Sequence, residues 1–260
     1  MIPLTTRIGQ TVQSLERALK ILEVLGNYQK GLGVTELAHE VDLHKSTVHR
    51  LLGTLAQRGF VEQDSETERY KLGLKIIELS NKMLTNMEVR QEARPFLEEL
   101  MQFANEVVHL CVLRQGEIVY IDKVECPSTI RMYSQVGRRG PVHSTGVGKA
   151  ILAFLPQEEV VKILQEKGMP RKTPNTITDI DEMLKHLAEI KLQGFSIDEV
   201  ENELGIRCVA APVWDHSGQV IASISVAGPE SRVTRERVPE LAAKIRETGL
   251  KISHRLGYCP

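Results

Sequence analysis

The chain has 260 residues and a formal net charge of -1, with 42% apolar and 26% charged residues. That length suits two unequal domains or one large one, and the composition is ordinary for a folded, water-soluble protein. Near-neutral charge excludes a polycation, so any nucleic-acid contact has to rest on a local basic face. The longest apolar run, AILAFL at 150–155, is far too short to span a bilayer. The first ten residues carry no signal-peptide core, and together these features predict a cytoplasmic protein without a membrane partner. Cys111, Cys126, Cys208 and Cys259 lie far apart with no C-x-x-C spacing, which argues against a zinc ribbon and a dense disulfide framework.

In chain order, Leu15, Ala18, Leu19, Leu22 and Leu25 recur at helical spacing and predict a helix over 12–26, with Ser14 as N-cap and Gly26 as the stop. Thr35 then caps a short helix carrying Leu37, Ala38 and Val41. A turn at Asp42 and Leu43 leads to a second helix with Val48, Leu51, Leu52 and Leu55 on one face. Two short helices joined by a tight turn make a helix-turn-helix. Opposite the apolar face lie Ser46, His49, Arg50, Gly53 and Gln57, with Lys45 and Thr47 at the edges of the first turn. From Lys45 to Arg58 there are three basic residues and no acidic one. These residue types contact phosphates and base edges from a recognition helix, so Lys45, Ser46, Thr47, His49 and Arg50 are the expected contacts to double-stranded DNA.

The strand-like segments FVEQD and RYKLG around SETE predict a hairpin, the wing of a winged helix-turn-helix. Arg69 and Lys71 are its phosphate candidates, but Glu62, Asp64, Glu66 and Glu68 make it acidic, so the helix outweighs the wing. A helical pattern at 74–86 follows, either a dimer contact or a packed linker, and another runs from Ala93 through Ala104 past Pro95.

Beyond it, VVHLCVLRQGEIVYIDKVE reads as two strands around a turn at Gln115 and Gly116, and TIRMYSQV as a third strand. Helices are expected at QEEVVKILQEKG and DIDEMLKHLAEIKLQG, a strand at GFSIDEVE, and a hairpin turning at His216, Ser217 and Gly218. An amphipathic helix over about 235–256 closes the pattern. Hairpins with helices between them predict an α+β fold with an antiparallel sheet.

PVHSTGVGKA at 141–150 has the look of a phosphate loop. A P-loop needs glycine where His143 stands and Ser or Thr where Ala150 stands, and a dinucleotide fingerprint needs a small residue where Ile151 stands. Ser144 has no nucleophile-elbow setting, and His143 beside it is poorly placed as its base. His109, His143, His186 and His216 are scattered and read as surface or structural residues, with no metal-ligand spacing. No catalytic residue, metal or cofactor is therefore expected. A helix starting near Thr145 leaves its first N–H groups free for a carboxylate or phosphate, and Gly146 and Gly148 open that backbone to a ligand. The plainer alternative is that the glycines serve a tight turn and close helix–sheet packing.

Over nearly its whole length the chain resembles IclR-type bacterial transcriptional regulators. The resemblance rests on VQSLERALKILEVL, GVTELAHEVDLHKSTVHRLLGTLAQRGFV, PVHSTGVGKAILAFLP, GFSIDEVENELGIRCVAAPVWDHSGQVIASISVAG and the closing helix. It implies a winged helix-turn-helix over 1–73, a linker helix over 74–90, and an effector-binding domain of GAF/PAS-like fold over 91–260. It also implies dimers or dimers of dimers, a promoter operator, and a small carboxylate effector. By motif match the effector positions fall on Met132, Gly146, Val147, Asp198, Cys208 and Ser225. Where some members carry a second serine two residues past Ser225, this chain has Ala227. Asp198 beside a bound carboxylate repels it unless it accepts from a hydroxyl or is itself protonated, which favours a sugar acid over a short 2-oxo acid. Two other readings are an enzyme carrying the helix-turn-helix as an appendage and a module whose N-terminal helices bind protein.

Overall fold

The computed structural model describes residues 12–85, 88–127 and 134–259. The chain divides into two compact units, Met1–Leu84 and Thr85–Pro260. The first holds α1 (Gln13–Gly26), α2 (Val34–Val41), α3 (Lys45–Gln57), β1 (Val61–Gln63), β2 (Tyr70–Leu72) and α4 (Lys75–Thr85). Its core is formed by Ile21, Leu25, Leu37, Val41, Val48 and Leu52, each almost fully buried. Burying a side chain of this kind contributes about 1.5–3 kcal/mol.

The starts of the first two helices differ from the expected ones. Val12, not Ser14, occupies the α1 N-cap, with no side-chain acceptor. The buried face of α1 is Ile21 and Leu25, while Leu15 and Leu19 are 59% and 51% exposed, because the first turns of this helix lie beyond the small core they would pack on. Gly33, not Thr35, caps α2, and the Glu36 carboxylate reaches back to accept the Gly33 N–H at 2.8 Å. Asp42 then turns the chain in the left-handed region (φ 56°, ψ 53°), which a short polar side chain tolerates. His44 starts α3, its Nδ1 accepting the Ser46 N–H.

β1 and β2 pair antiparallel, Val61 opposite Leu72, and a bridge from Leu32 to Tyr70 ties the wing to its unit. Asp64 closes the wing turn by accepting the Glu66 and Thr67 N–H groups. Arg69, expected at phosphates, instead donates to the Gly31 carbonyl at 3.1 Å and to Glu36 at 2.9 Å. The acidic helix start draws the guanidinium inward, so Lys71 is the remaining cation of that pair.

The second unit is built on a six-stranded antiparallel sheet of order β5-β4-β3-β8-β7-β6. Its strands are β3 (Val107–Arg114), β4 (Glu117–Val124), β5 (Arg139–Gly140), β6 (Ser196–Glu199), β7 (Ile206–Trp214) and β8 (Val220–Pro229). One face is covered by α5 (Glu88–Ala104) and α9 (Val238–Arg255), the other by α6 (Gly146–Leu152), α7 (Gln157–Lys167) and α8 (Ile180–Gln193). Pro95 sits inside α5 without ending it. The α+β architecture with a winged helix-turn-helix and an antiparallel sheet is thus as expected. Most of the third strand expected at TIRMYSQV lies outside the described residues; Ser134–Val136 are not in a strand, and Arg139–Gly140 pairs at the sheet edge.

Candidate functional site

Two surfaces carry the expected functional residues, one in each unit. On α3, Lys45, Ser46, His49 and Arg50 are exposed and Thr47 is half-buried, while Val48 and Leu52 anchor the opposite side at 0% exposure. Gly53 has open space beyond its Cα. This helix face is free of acidic groups and firmly seated from behind.

In the second unit a cavity of about 460 Å³ opens between the start of α6 and the sheet. Gly146, Val147, Asp198, Cys208 and Ser225 all line it, together with Ala227. Met132 lies outside the described residues. The strand ladder explains the convergence. Asp198 on β6 stands opposite Cys208 on β7, and Cys208 stands opposite Ala227 on β8. One pleat along, Ala210 stands opposite Ser225, and Ser225 opposite His109 on β3. Two rows of side chains cross four strands and face α6.

At the α6 start, Thr145 is the N-cap and accepts the Gly148 N–H, and the first backbone bond of the helix runs from the Lys149 N–H to the Thr145 carbonyl. The Gly146 and Val147 N–H groups therefore have no backbone acceptor. Both glycines also have a packing reason, the plainer of the two alternatives. A Cβ on Gly146 would stand 3.0 Å from Cys208 Sγ, and one on Gly148 would stand 2.3 Å from the Val142 carbonyl oxygen. Both lack side chains so that α6 can lie against β7 and its own loop.

Asp198 is buried, and its Oδ1 accepts the Glu201 N–H at 2.6 Å and the Asn202 N–H at 3.2 Å. Burial pushes its carboxyl up to about 7, against those two backbone donors. Burial likewise pushes the Cys208 thiol up to about 12, so it stays protonated at neutral pH. The turn after Asp198 is strained, since Val200 has φ 60°, a conformation β-branched residues avoid. It is braced by Thr173 and Thr176, whose hydroxyls donate to the Val200 and Glu201 carbonyls. Behind it, Lys149 of α6 is wholly buried, ion-paired to Glu201 and 3.3 Å from His186 Nε2.

His143 and Ser144 do not act on each other. His143 Nε2–H donates to the Pro170 carbonyl at 3.1 Å, and the Ser144 hydroxyl donates to Asn202 Oδ1 at 3.1 Å. Among the described residues no cluster of His, Cys, Asp and Glu is arranged to hold a metal ion, and no helix is long and apolar enough to cross a membrane. The sequence reading missed His109, Tyr120, Ser134, Lys172 and Asn202, which also line the cavity. The signal for His109 was present: a lone polar residue within the apolar strand VVHLCVL occupies an inward position at twofold spacing from Cys111.

A helix-turn-helix with an acid-free outer face, in one chain with a pocketed α+β unit, defines a DNA-binding transcriptional regulator. The pattern of the IclR helix-turn-helix domain matches residues 14–65, and that of the bacterial transcriptional regulator IclR C-terminal domain matches residues 81–254. The chain is 39% identical to the transcriptional regulator KdgR of Escherichia coli, over 95% of this chain and 94% of that protein. It is 37% identical to the transcriptional repressor AllR of Klebsiella pneumoniae, over 95% of this chain and 91% of that protein. Its fold superposes on an IclR homolog from Microbacterium hydrocarbonoxydans complexed with 4-hydroxybenzoate, with TM-score 0.81, 25% identity, and coverage of 94% of this chain and 98% of that one. The chain belongs to the IclR family of bacterial transcriptional regulators.

Proposed function

We propose that this regulator is a cytoplasmic homo-oligomeric repressor whose operator binding is modulated by a small hydroxylated carboxylate, of the sugar-acid or 2-oxo-acid class, held in the second unit. The observation that carries the reading is the cavity itself. Two N–H groups without backbone acceptors at Gly146 and Val147, the Ser225 hydroxyl and the Asp198 carboxyl converge on one space of about 460 Å³. The N–H groups and the hydroxyl suit a carboxylate. Asp198, poised near neutrality, accepts from an effector hydroxyl when ionised and donates when protonated. That a relative of the same fold was crystallised with a hydroxylated carboxylate supports the class, and that AllR is a repressor by name supports the sign.

On DNA, Lys45, Ser46, Thr47, His49 and Arg50 are the contacts, presented by α3 to the major groove. A two-fold dimer then reads half-sites about one helical turn, or a multiple of it, apart. Leu74 and Ile77, 66% and 57% exposed and three residues apart at the start of α4, are suited to pairing two copies. The test is a thermal-shift screen of small organic acids followed by a gel shift on the DNA upstream of the protein's own gene. Acids that raise the melting temperature should alter retention of that DNA. A screen in which neutral sugars stabilise as well as acids do would overturn the carboxylate reading.

A further inference from the structure

We propose that His109 sets the selectivity of the cavity for an anion by holding the Ser225 hydroxyl as a hydrogen-bond donor toward it. The inference rests on the carboxylate reading above and goes beyond it. His109 is 3% exposed, lines the cavity, and stands opposite Ser225 in the β3–β8 ladder. Its Nε2 lies 2.7 Å from the Ser134 Oγ and its Nδ1 lies 3.3 Å from the Ser225 Oγ. One neutral imidazole joins both hydroxyls, accepting at one nitrogen and donating at the other. In the arrangement proposed, the Ser134 hydroxyl donates to Nε2 and Nδ1–H donates to Ser225.

That tautomer has a consequence at Ser225. The hydroxyl has one hydrogen, and its oxygen already accepts from the imidazole. The hydrogen is directed onward, and Ser225 lines the cavity together with Gly146 and Val147 of the α6 start. A carboxylate oxygen arriving there is a strong acceptor and receives that hydrogen bond. The imidazole N–H polarises the hydroxyl as it does so. Ala227, on the same cavity wall, offers no hydroxyl, and one well-oriented donor carries the contact.

Burial keeps His109 neutral, its imidazole pushed down to about 3, with the Lys123 cation acting the same way. The donor chain therefore holds through the physiological range without a buried charge.

The first test needs no ligand. In full-length protein labelled with ¹⁵N-histidine, His109 should show a neutral Nδ1–H imidazole from pH 5 to 8. An Nε2–H tautomer, or titration in that range, overturns the proposal. The second test uses acids paired with the alcohols in which CH₂OH replaces the carboxylate: D-gluconate with D-glucitol, D-galacturonate with D-galactose, and 4-hydroxybenzoate with 4-hydroxybenzyl alcohol. His109→Leu should cut the acid-over-alcohol preference of the best-bound pair about tenfold, the size of one hydrogen bond to a charged group. His109→Asn, whose amide N–H replaces Nδ1–H, should restore most of it. In a Ser225→Ala background His109→Leu should have no further effect. A full loss of preference added on top of Ser225→Ala means that His109 does not act through Ser225. Binding of acids with unchanged preference in His109→Leu sinks the inference alone. Wild-type protein that binds no acid of the three pairs removes the carboxylate reading as well.

Discussion

Lys149 on α6 and Glu201 in the turn after β6 form an ion pair with side chains only 0% and 5% exposed. It joins the helix whose start lines the cavity to the turn that holds Asp198 and Asn202. Glu201 Oε2 has no hydrogen-bond partner of its own, so the pair depends on one carboxylate oxygen. Breaking a buried pair leaves an uncompensated charge and costs about 3–5 kcal/mol, whereas replacing both partners with apolar groups is often neutral. Lys149→Met should therefore lower the midpoint of urea unfolding strongly, and Lys149→Met with Glu201→Leu should recover most of the loss. A double variant as unstable as the single one would show that the pair itself, not the orphaned charge, holds the turn.

The two glycines of the loop should separate in their effects. At Gly148 a Cβ meets backbone at 2.3 Å and 2.5 Å, which cannot be relieved by a side-chain rotation. Gly148→Ala is expected to destabilise the second unit by about 1–3 kcal/mol or more through overpacking. At Gly146 the nearest atom is the end of the Cys208 side chain at 3.0 Å, so Gly146→Ala should fold and shift α6 by a few tenths of an ångström. Effector affinity should fall while operator binding without effector persists. Calorimetry and gel shifts on the two variants check this, and an effector-competent Gly148→Ala would refute the packing argument.

Effector affinity should depend on pH through Asp198. Four titratable groups act on or lie near this carboxyl: Lys149 favours its ionised form, Glu201 opposes it, and the Cys208 and Tyr120 groups remain neutral because burial raises both. Below about pH 7 Asp198 is protonated and does not repel a carboxylate; above it the two charges face each other. Affinity for an acid should thus be several-fold higher at pH 6 than at pH 8. The apo protein has the matching trend. The folded value is raised, so the native state binds the extra proton, and this stabilisation, complete below the unfolded value near 4, is lost as pH rises through about 7. Asp198→Asn should flatten both curves. A titration of affinity against pH that is level in the wild type would rule out a carboxylate beside Asp198.

Operator binding should hinge on α3 rather than the wing. Arg50 is exposed and has no packing role, so Arg50→Ala is expected to change stability by less than about 0.5 kcal/mol while abolishing the gel shift. Arg69 is turned toward Glu36 and Gly31, and Arg69→Ala should leave the salt dependence of binding unchanged, whereas loss of a phosphate contact lowers its slope by about 1. Plots of log affinity against log salt for both variants decide the point, and a reduced slope for Arg69→Ala would return the wing to the interface.

Much of this protein was legible in its residues because the signals are local. Val48 and Leu52 recur within one helix, Gln115 and Gly116 make their own turn, and the face around Arg50 follows from helical spacing alone. The family resemblance carried Gly146, Asp198, Cys208 and Ser225 to positions that prove to line one cavity. Local signals also misled where the core decides: Leu15 and Leu19 continue the α1 stripe but stay exposed among the described residues, and Arg69 has the charge for DNA but a nearer carboxylate at Glu36. The loop's glycines suggested ligand access, and only the distances to Cys208 and Val142 show that they are also needed for packing. His109 read as a structural histidine until the β3–β8 register set it against Ser225, 116 residues away in the chain. By itself the sequence determined the helices, the hairpins, the family and the exposed, acid-free face of α3, each a matter of residues a few positions apart. The cavity wall, the buried Lys149–Glu201 pair and the partner of His109 were decided by tertiary structure, because strand order and register depend on which distant apolar faces bury one another.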